Sequence, residues 1–268
     1  MNTIEKQLYA SASNKLYIFI VAGIVLLLFT WSLSTIDLNN MQASGWQIAG
    51  NILQGIVTPD LELLLNFTSQ GVLYLLIETI AIAFLGTIIG SFLAIPLAFL
   101  SAGNVVPRPI ASFTRILLIV IRTIPALVYG LTFIRVTGPG PFAGVLTISF
   151  VSIGMLAKLF VDSIEELDTS IIESMTSIGC STFEKIRYGI LPQLFALFLS
   201  TIIYRFDMNL REAAVLGLVG AGGIGAPLIF AMNAYRWNEV GSILIGLLIL
   251  ILVVELSSNH IRTKLVRG

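Results

Sequence analysis

Long apolar runs separated by short polar stretches are the dominant pattern of this chain. A helix needs about 20 mostly apolar residues to cross about 30 Å of hydrocarbon, and six runs approach or exceed that length. We therefore predict an all-α integral membrane protein. Its six spanning helices are expected near residues 16–36, 71–100, 113–135, 142–161, 193–214 and 238–257.

A further uncharged run, residues 38–59, is long enough to span but does not fit a lipid environment. It carries six amide side chains, which are costly in hydrocarbon: Asn39, Asn40, Gln42, Gln47, Asn51 and Gln54. The apolar residues from Trp46 to Ile56 recur at helical spacing. We predict an amphipathic helix that lies on the outer membrane surface.

The basic residues are distributed unevenly along this pattern. Positive charge favours the cytoplasmic side of a membrane, so we place both termini there. The inner side then holds Lys6, Lys15, Arg108, Arg115, Lys158, Lys185, Arg187, Arg262, Lys264 and Arg267, whereas residues 37–70 and 138–141 contain neither Lys nor Arg.

The start of the chain also has features of a signal peptide, because Lys6 and Lys15 precede an apolar run. That run is longer than a usual signal-peptide core, and Ser32 with Ser34 forms only a weak cleavage signal. A retained first helix is the favoured interpretation.

Composition agrees with a membrane location and excludes several classes of protein. Hydrophobic residues make up 56% of the chain and charged residues 11%, against about 25% charged in soluble domains. The formal net charge is zero, so no basic excess indicates nucleic-acid binding. A single cysteine, Cys180, excludes an internal disulfide framework and a cysteine-based zinc site.

The most polar part of the chain is the 161–191 segment, between the fourth and fifth predicted spans. Asp168 or Thr169 is a candidate cap for a short helix that runs through Met175. Gly179 is expected to end that helix, and Ser181 or Thr182 to begin a second short one. Pro192 then marks the start of the fifth span.

This segment resembles the coupling loop of permease subunits from binding-protein-dependent ABC importers. In that family E-A-A-x-x-x-G is followed nine residues later by I-x-L-P. The matching residues are Glu173, Gly179, Leu191 and Pro192, and the departures are Ser174 and Met175 at the alanines and Gly189 at the isoleucine. The resemblance implies that 161–191 docks on a separate ATP-binding subunit.

Other stretches look like the permeases of phosphonate importers and their phosphite-importing relatives. They are residues 122–128, 138–146, 154–159 and 209–225, and the resemblance covers the chain from about Gly71 to its end. We therefore divide the chain into residues 1–70, a spanning helix plus the outer segment, and a core permease domain, residues 71–268.

The resemblance also implies partners and a location. ATP and Mg are used by the ATP-binding subunits, with no cofactor in this chain. The other partners are a second permease copy or homologue, an extracytoplasmic solute-binding protein and membrane lipid, with no nucleic acid. The location is the bacterial plasma (inner) membrane, and the phosphonate-like anion moves inward.

Charged residues inside predicted spans are the candidate substrate path. Arg122, Arg205 and Glu78 lie within spans and Arg211 nearer the outer surface. Guanidinium groups suit phosphate-like anions. Pairing among themselves is the alternative role, since Asp207 and Arg211 are four residues apart and Glu78 is available to Arg122 or Arg205.

A glycine run follows the fifth span. Gly220, Gly222, Gly223 and Gly225 satisfy G-x-G-x-x-G, but no βαβ unit surrounds them. We predict a broken segment that serves as a gate or as a close-packing point. Gly86 and Gly90 form a G-x-x-x-G signal for helix contact.

No catalytic or metal site is indicated. The chain lacks a G-x-x-x-x-G-K-[ST] sequence, so we expect no ATP hydrolysis by this chain, and its one histidine, His260, has no ligand set around it. Two alternatives stay open. One is an importer for another small solute, such as phosphite or methionine, and the other is a channel or an intramembrane enzyme using Glu78 and Asp207.

Overall fold

The structure, a computed structural model, describes residues 15–35, 45–68 and 71–267. Lys6, Asn39, Asn40 and Gln42 of the expectations above lie outside these residues. The described chain is helical and contains no strand. Its helices are α1 (Lys15–Thr35), α2 (Gly45–Val57), α3 (Leu61–Leu65), α4 (Val72–Ser101), α5 (Arg108–Thr123), α6 (Ala126–Thr137), α7 (Pro141–Glu165), α8 (Thr169–Ser177), α9 (Thr182–Gly217), α10 (Gly225–Asn233) and α11 (Trp237–Arg267).

Five of these helices are long and apolar enough to cross a membrane. They are α1, α4, α7, α9 and α11, and the bent pair α5–α6 makes up to six. The predicted first, second, fourth, fifth and sixth spans are therefore confirmed, with bounds that shift by a few residues at most ends and by about ten at the start of α9 and the end of α11.

The chain divides into two compact units, residues 1–49 and 50–268. In the first unit, the described side chains of α1 are exposed on all sides. A helix that is apolar all round suits a lipid environment.

Residues 45–57 form the helix predicted for the amide-rich run, and its 13 residues are too short to span. Within the second unit, Gly55 packs directly on the backbone of Trp237 and Gly241 of α11. A side chain at Gly55 would overlap Trp237, so glycine permits this contact.

Helices α4 and α7 form the centre of the second unit. A Cβ on Gly86 would lie 2.6 Å from Cγ2 of Ile148, and one on Gly90 would lie 2.7 Å from Cβ of Ser152. The predicted G-x-x-x-G contact is therefore confirmed, because these glycines bring the two backbones together.

The third predicted span, residues 113–135, is wrong as a single helix. The chain bends by 84° between α5 and α6, at Ile124 and Pro125. Proline cannot donate a backbone hydrogen bond and disfavours helical geometry in the residue before it. The hydroxyl of Tyr129 donates to the carbonyl of Ile121 across the break, at 3.1 Å.

The prediction of a separate second short helix after Gly179 is also wrong. This helix does not end before the fifth span but continues into it. Residues 182–217 form one continuous helix, in which Lys185–Ile190 adopt π geometry. Pro192 therefore lies inside a helix and does not begin one. The wider π turn accommodates a proline that a regular α-helix would exclude.

Candidate functional site

The 161–191 segment builds a compact turn between α8 and α9. A side-chain oxygen of Asp168 accepts a hydrogen bond from the backbone N–H of Ser170 at 2.9 Å and caps α8. The hydrogen bond from the backbone N–H of Ser170 is the main reason that the pKa of Asp168 is lower than usual. Of the two predicted caps, Asp168 and Thr169, the cap is therefore Asp168.

Gly179 ends α8 as predicted. Its φ of 85° lies in the left-handed region, and the N–H groups of Gly179 and Cys180 donate to the carbonyls of Thr176 and Met175, each at 3.0 Å. This double closure is a Schellman motif, which requires a residue that tolerates positive φ. Ser181 and Glu184 then cap α9 reciprocally.

The same turn exposes large apolar side chains. Ile178 is 79% exposed and Phe183 is 68% exposed, one on each side of Gly179. Tyr188 is exposed as well, and the guanidinium of Arg187 lies 5.8 Å from the centre of its ring. Exposed apolar groups of this size on the most polar segment of the chain are typical of a docking surface.

Arg205 lies at the centre of a buried polar cluster between α4, α7 and α9. Its side chain is only 3% exposed. One guanidinium nitrogen lies 3.0 Å from Oε2 of Glu212, and Nε donates to the hydroxyl of Ser152 at 3.4 Å. The partner of Arg205 is thus two turns further along its own helix.

Asn209 joins the same cluster and was missed in the sequence. Its amide nitrogen donates to the hydroxyls of Thr87 at 2.7 Å and Ser152 at 2.8 Å, and the residue is fully buried. The signal for it was an amide in a long apolar helix, opposite hydroxyl residues on two others.

A second charge group links α9 to α11. Arg211 lies 3.0 Å from carboxylate oxygens of both Asp207 and Glu255. The pairing of Asp207 with Arg211 is therefore confirmed. Glu255 was not expected, because helical spacing reveals partners only on the same helix.

Glu78 does not pair with Arg122 or Arg205, and that expectation is wrong. Its carboxylate accepts a hydrogen bond from the N–H of Gly223 at 2.8 Å. The neighbouring hydroxyl of Thr79 accepts from the N–H of Ile224 at 3.0 Å. Both acceptors satisfy free N–H groups at the start of α10, where a negative charge is favoured.

The glycine run forms the predicted break between two helices, α9 and α10. Gly220, Gly222 and Gly223 have φ of 98°, 82° and 71°. The N–H of Gly140 donates to the carbonyl of Gly220 at 2.9 Å, and Pro141 packs on Gly222.

The glycine run follows a helix and not a strand, so a dinucleotide-binding fold is excluded. Gly225 begins α10 against Gly217.

Arg122 occupies a separate place. It lies in the last turn of α5, and its stem packs on Gly154 of α7. Gly154 and Ser152 are about 200° apart around α7, so Arg122 and Arg205 lie on opposite sides of that helix. The structure does not bring Arg122 and Arg205 together.

The chain is similar to known proteins both in sequence and in fold. Residues 94–268 match the family of binding-protein-dependent transport system inner membrane components. A chain of the methionine ABC transporter MetNI superposes with a TM-score of 0.63 at 19% identity, over 72% of this chain and 95% of that one. The fold is that of type I ABC importer permeases.

Two transport permeases are similar in sequence to about 70% of this chain. The phosphate-import permease protein PhnE of Mycolicibacterium smegmatis is 35% identical over 70% of this chain, and the aligned part covers 36% of that longer protein. The phosphite transport system permease protein PtxC of Stutzerimonas stutzeri is 34% identical over 70% of this chain and 68% of its own length. On the family match and these identities, the chain belongs to the binding-protein-dependent transport system inner membrane components.

Proposed function

We propose that this chain is the membrane-spanning permease subunit of an ATP-driven importer that moves phosphorus oxyanions of the phosphonate type inward. The observation that carries the proposal is the exposed pair Ile178 and Phe183 on either side of Gly179. As a transport-system component, the chain is not itself an enzyme.

The docking partner we propose for 161–191 is the ATP-binding subunit, which supplies ATP and Mg chemistry. Apolar anchors at the centre of an interface contribute most of its binding energy. Ile178 and Phe183 have the size and exposure of such anchors. They belong to the segment that carries Glu173, Gly179 and Leu191 and that Pro192 follows.

The continuity of α9 supports mechanical coupling. Its 36 residues correspond to about 54 Å. One continuous helix therefore joins the proposed docking turn to Arg205, Glu212 and the glycine run. Movement of the docked subunit would be transmitted along α9 as a rigid-body displacement.

The substrate class rests on the relatives and on two arginines of α9, the buried Arg205 and the exposed Arg211. The relatives carry names that specify phosphate import and phosphite transport, and a cryptic phosphonate permease PhnE2 of Escherichia coli is 32% identical over 41% of this chain. Arg205 is held by Glu212, and Arg211 is held by Asp207 and Glu255. An incoming anion would have to replace these carboxylates.

The wider assembly is part of the same proposal. A second permease copy or homologue would complete the path, and a solute-binding protein would deliver the anion at the side of Gly138 and α2. We place the complex in the bacterial inner membrane with both termini in the cytoplasm.

Uptake by the reconstituted complex tests the proposal. Vesicles that contain this chain with its ATP-binding and solute-binding partners should accumulate labelled methylphosphonate or phosphite in an ATP-dependent manner. Labelled methionine is the control for another small solute. Accumulation of methionine without the phosphorus oxyanions would refute the substrate class, and flux without ATP would refute an importer.

A further inference from the structure

A cavity of about 170 Å³ opens between α5 and the C-terminal half of α7. Its lining holds five charged residues: Arg115, Arg122, Lys158, Asp162 and Glu165. The lining therefore carries three positive and two negative charges. The cavity is on the opposite side of α7 from the Arg205 cluster.

Both acids are already engaged. Glu165 pairs with Arg115 and also accepts from the N–H of Gly103 at 2.8 Å. Asp162 pairs with Lys158 one turn away on α7. The net positive charge of the cavity therefore belongs to Arg122.

Arg122 has no carboxylate within 4 Å among the residues that the structure describes. It lies in the last turn of α5, but the carbonyl end of a helix offers only about half a negative charge. Gly154 leaves room for the stem of Arg122, since a Cβ there would lie 2.6 Å from its Cγ. The guanidinium is thus held by its stem at the cavity without a carboxylate partner among the described residues.

The spacing of α5 puts this arginine on a defined face. Arg108, Arg115 and Arg122 are seven residues apart, so each is within about 20° of the last around the helix. Arg115 is neutralised by Glu165, and Arg108 lies outside the cavity lining. Arg122 is therefore the arginine of this row that faces the cavity with its charge free.

We propose that this cavity binds a phosphate- or phosphonate-type anionic group, with Arg122 as its principal ligand and Lys158 beside it. Guanidinium matches the oxygens of such a group geometrically. The group has two possible sources, a phospholipid headgroup or the anion in transit. Ile116 and Ile119 are exposed on α5 and would support an acyl chain.

The transit source rests on the proposed function, whereas the lipid source does not. The test therefore measures binding to the purified full chain without partners or ATP. The chain in detergent is titrated with inorganic phosphate and with methylphosphonate. The chain in phosphatidylcholine nanodiscs receives increasing phosphatidylglycerol, and native mass spectrometry counts the bound lipid.

We expect saturable binding that Arg122→Gln weakens about tenfold or more, as loss of a charge-assisted hydrogen bond implies. Arg122→Lys keeps the charge and should retain most of the affinity. Asp162→Asn frees Lys158 and should strengthen binding. Arg108→Gln is the matched control, because it removes an arginine from the same face of α5 but outside the cavity.

Binding of phosphatidylglycerol alone assigns the site to lipid, and binding of the free anions alone assigns it to the anion in transit. The proposal is overturned by absence of saturable binding to every probe. It is also overturned if Arg122→Gln binds like wild type or if Arg108→Gln loses as much affinity. The melting temperature of each unliganded variant shows whether it is folded. If Arg122→Gln does not fold, Asp162→Asn tests the proposal in its place. Failed uptake with intact binding would count only against the importer function.

Discussion

The side chain of Met175 fills the space that a side chain at residue 189 would occupy. Its Sδ lies 2.5 Å from where a Cβ on Gly189 would be, and Gly189 is buried. These two residues are both departures from the family pattern, which has Ala and Ile at these positions. A large residue in α8 is thus matched by a small one in the π turn of α9.

This contact predicts a compensating exchange. Gly189→Ile should destabilise the docking turn by about 1–3 kcal/mol, because it overpacks the space that Met175 fills. Met175→Ala in the same chain should recover most of the loss. Thermal unfolding of the two single variants and the double variant gives the coupling energy. Additive effects would show that the two residues do not share this space.

The glycine run predicts a stability loss with two separable causes. Gly223→Ala should cost about 1–2 kcal/mol for its positive φ and about 1–3 kcal/mol more because the new Cβ would lie 2.6 Å from Oγ1 of Thr79. Gly138→Ala is the matched control, since its φ is 86° and a Cβ there meets no atom within 4 Å. Equal melting-temperature shifts for the two variants would contradict the packing role.

The Arg205–Glu212 pair predicts a charge-dependent loss. Glu212→Gln should destabilise the chain by about 1–3 kcal/mol, because it leaves a buried guanidinium without its carboxylate. The loss should be smaller than for a fully buried pair, as Glu212 is 30% exposed. Adding Arg205→Met should restore stability. Unfolding measurements check this pattern.

Uptake by the stable double variant then separates two roles of Arg205. If Arg205 serves the anion path, the double variant should be folded but slow in transport, with docking of the ATP-binding subunit intact. Wild-type uptake by Arg205→Gln or by the double variant would remove Arg205 from the path.

The cap on α8 predicts a pH effect. The pKa of Asp168 is lowered in the folded chain, so its contribution is present above the unfolded pKa and is lost as the pH falls through the folded pKa. Amide exchange of residues 169–177, corrected for its intrinsic pH dependence, should therefore accelerate in acid. Asp168→Asn should remove this pH dependence yet keep the cap. Identical acid profiles for wild type and Asp168→Asn would contradict it.

Sequence reasoning predicted features that depend on local chemistry. The lengths of α1, α4 and α7 follow from uncharged runs. The end of α8 at Gly179 follows from the need for positive φ. The pair Asp207–Arg211 follows from helical spacing. In each case a single physical requirement acts within one segment.

Two of the missed features are local departures from a regular helix, and the third joins two distant segments. The break at Pro125 required weighing one proline against an otherwise apolar run. The π turn before Pro192 replaced a helix boundary with a continuous helix. Glu78 contacts Gly223, 145 residues away, and no spacing rule on either helix connects the two residues.

Docking of the ATP-binding subunit on Ile178 and Phe183 is the central claim, and co-purification tests it most directly. The double variant Ile178→Ser with Phe183→Ser changes exposed side chains, so its melting temperature should be close to wild type. Val136→Ser, at a residue 77% exposed near the end of α6 and outside the 161–191 segment, is the matched control. The account predicts that the tagged double variant loses the ATP-binding subunit, by about tenfold or more, while wild type and Val136→Ser retain it. Full retention by a folded double variant would contradict the account.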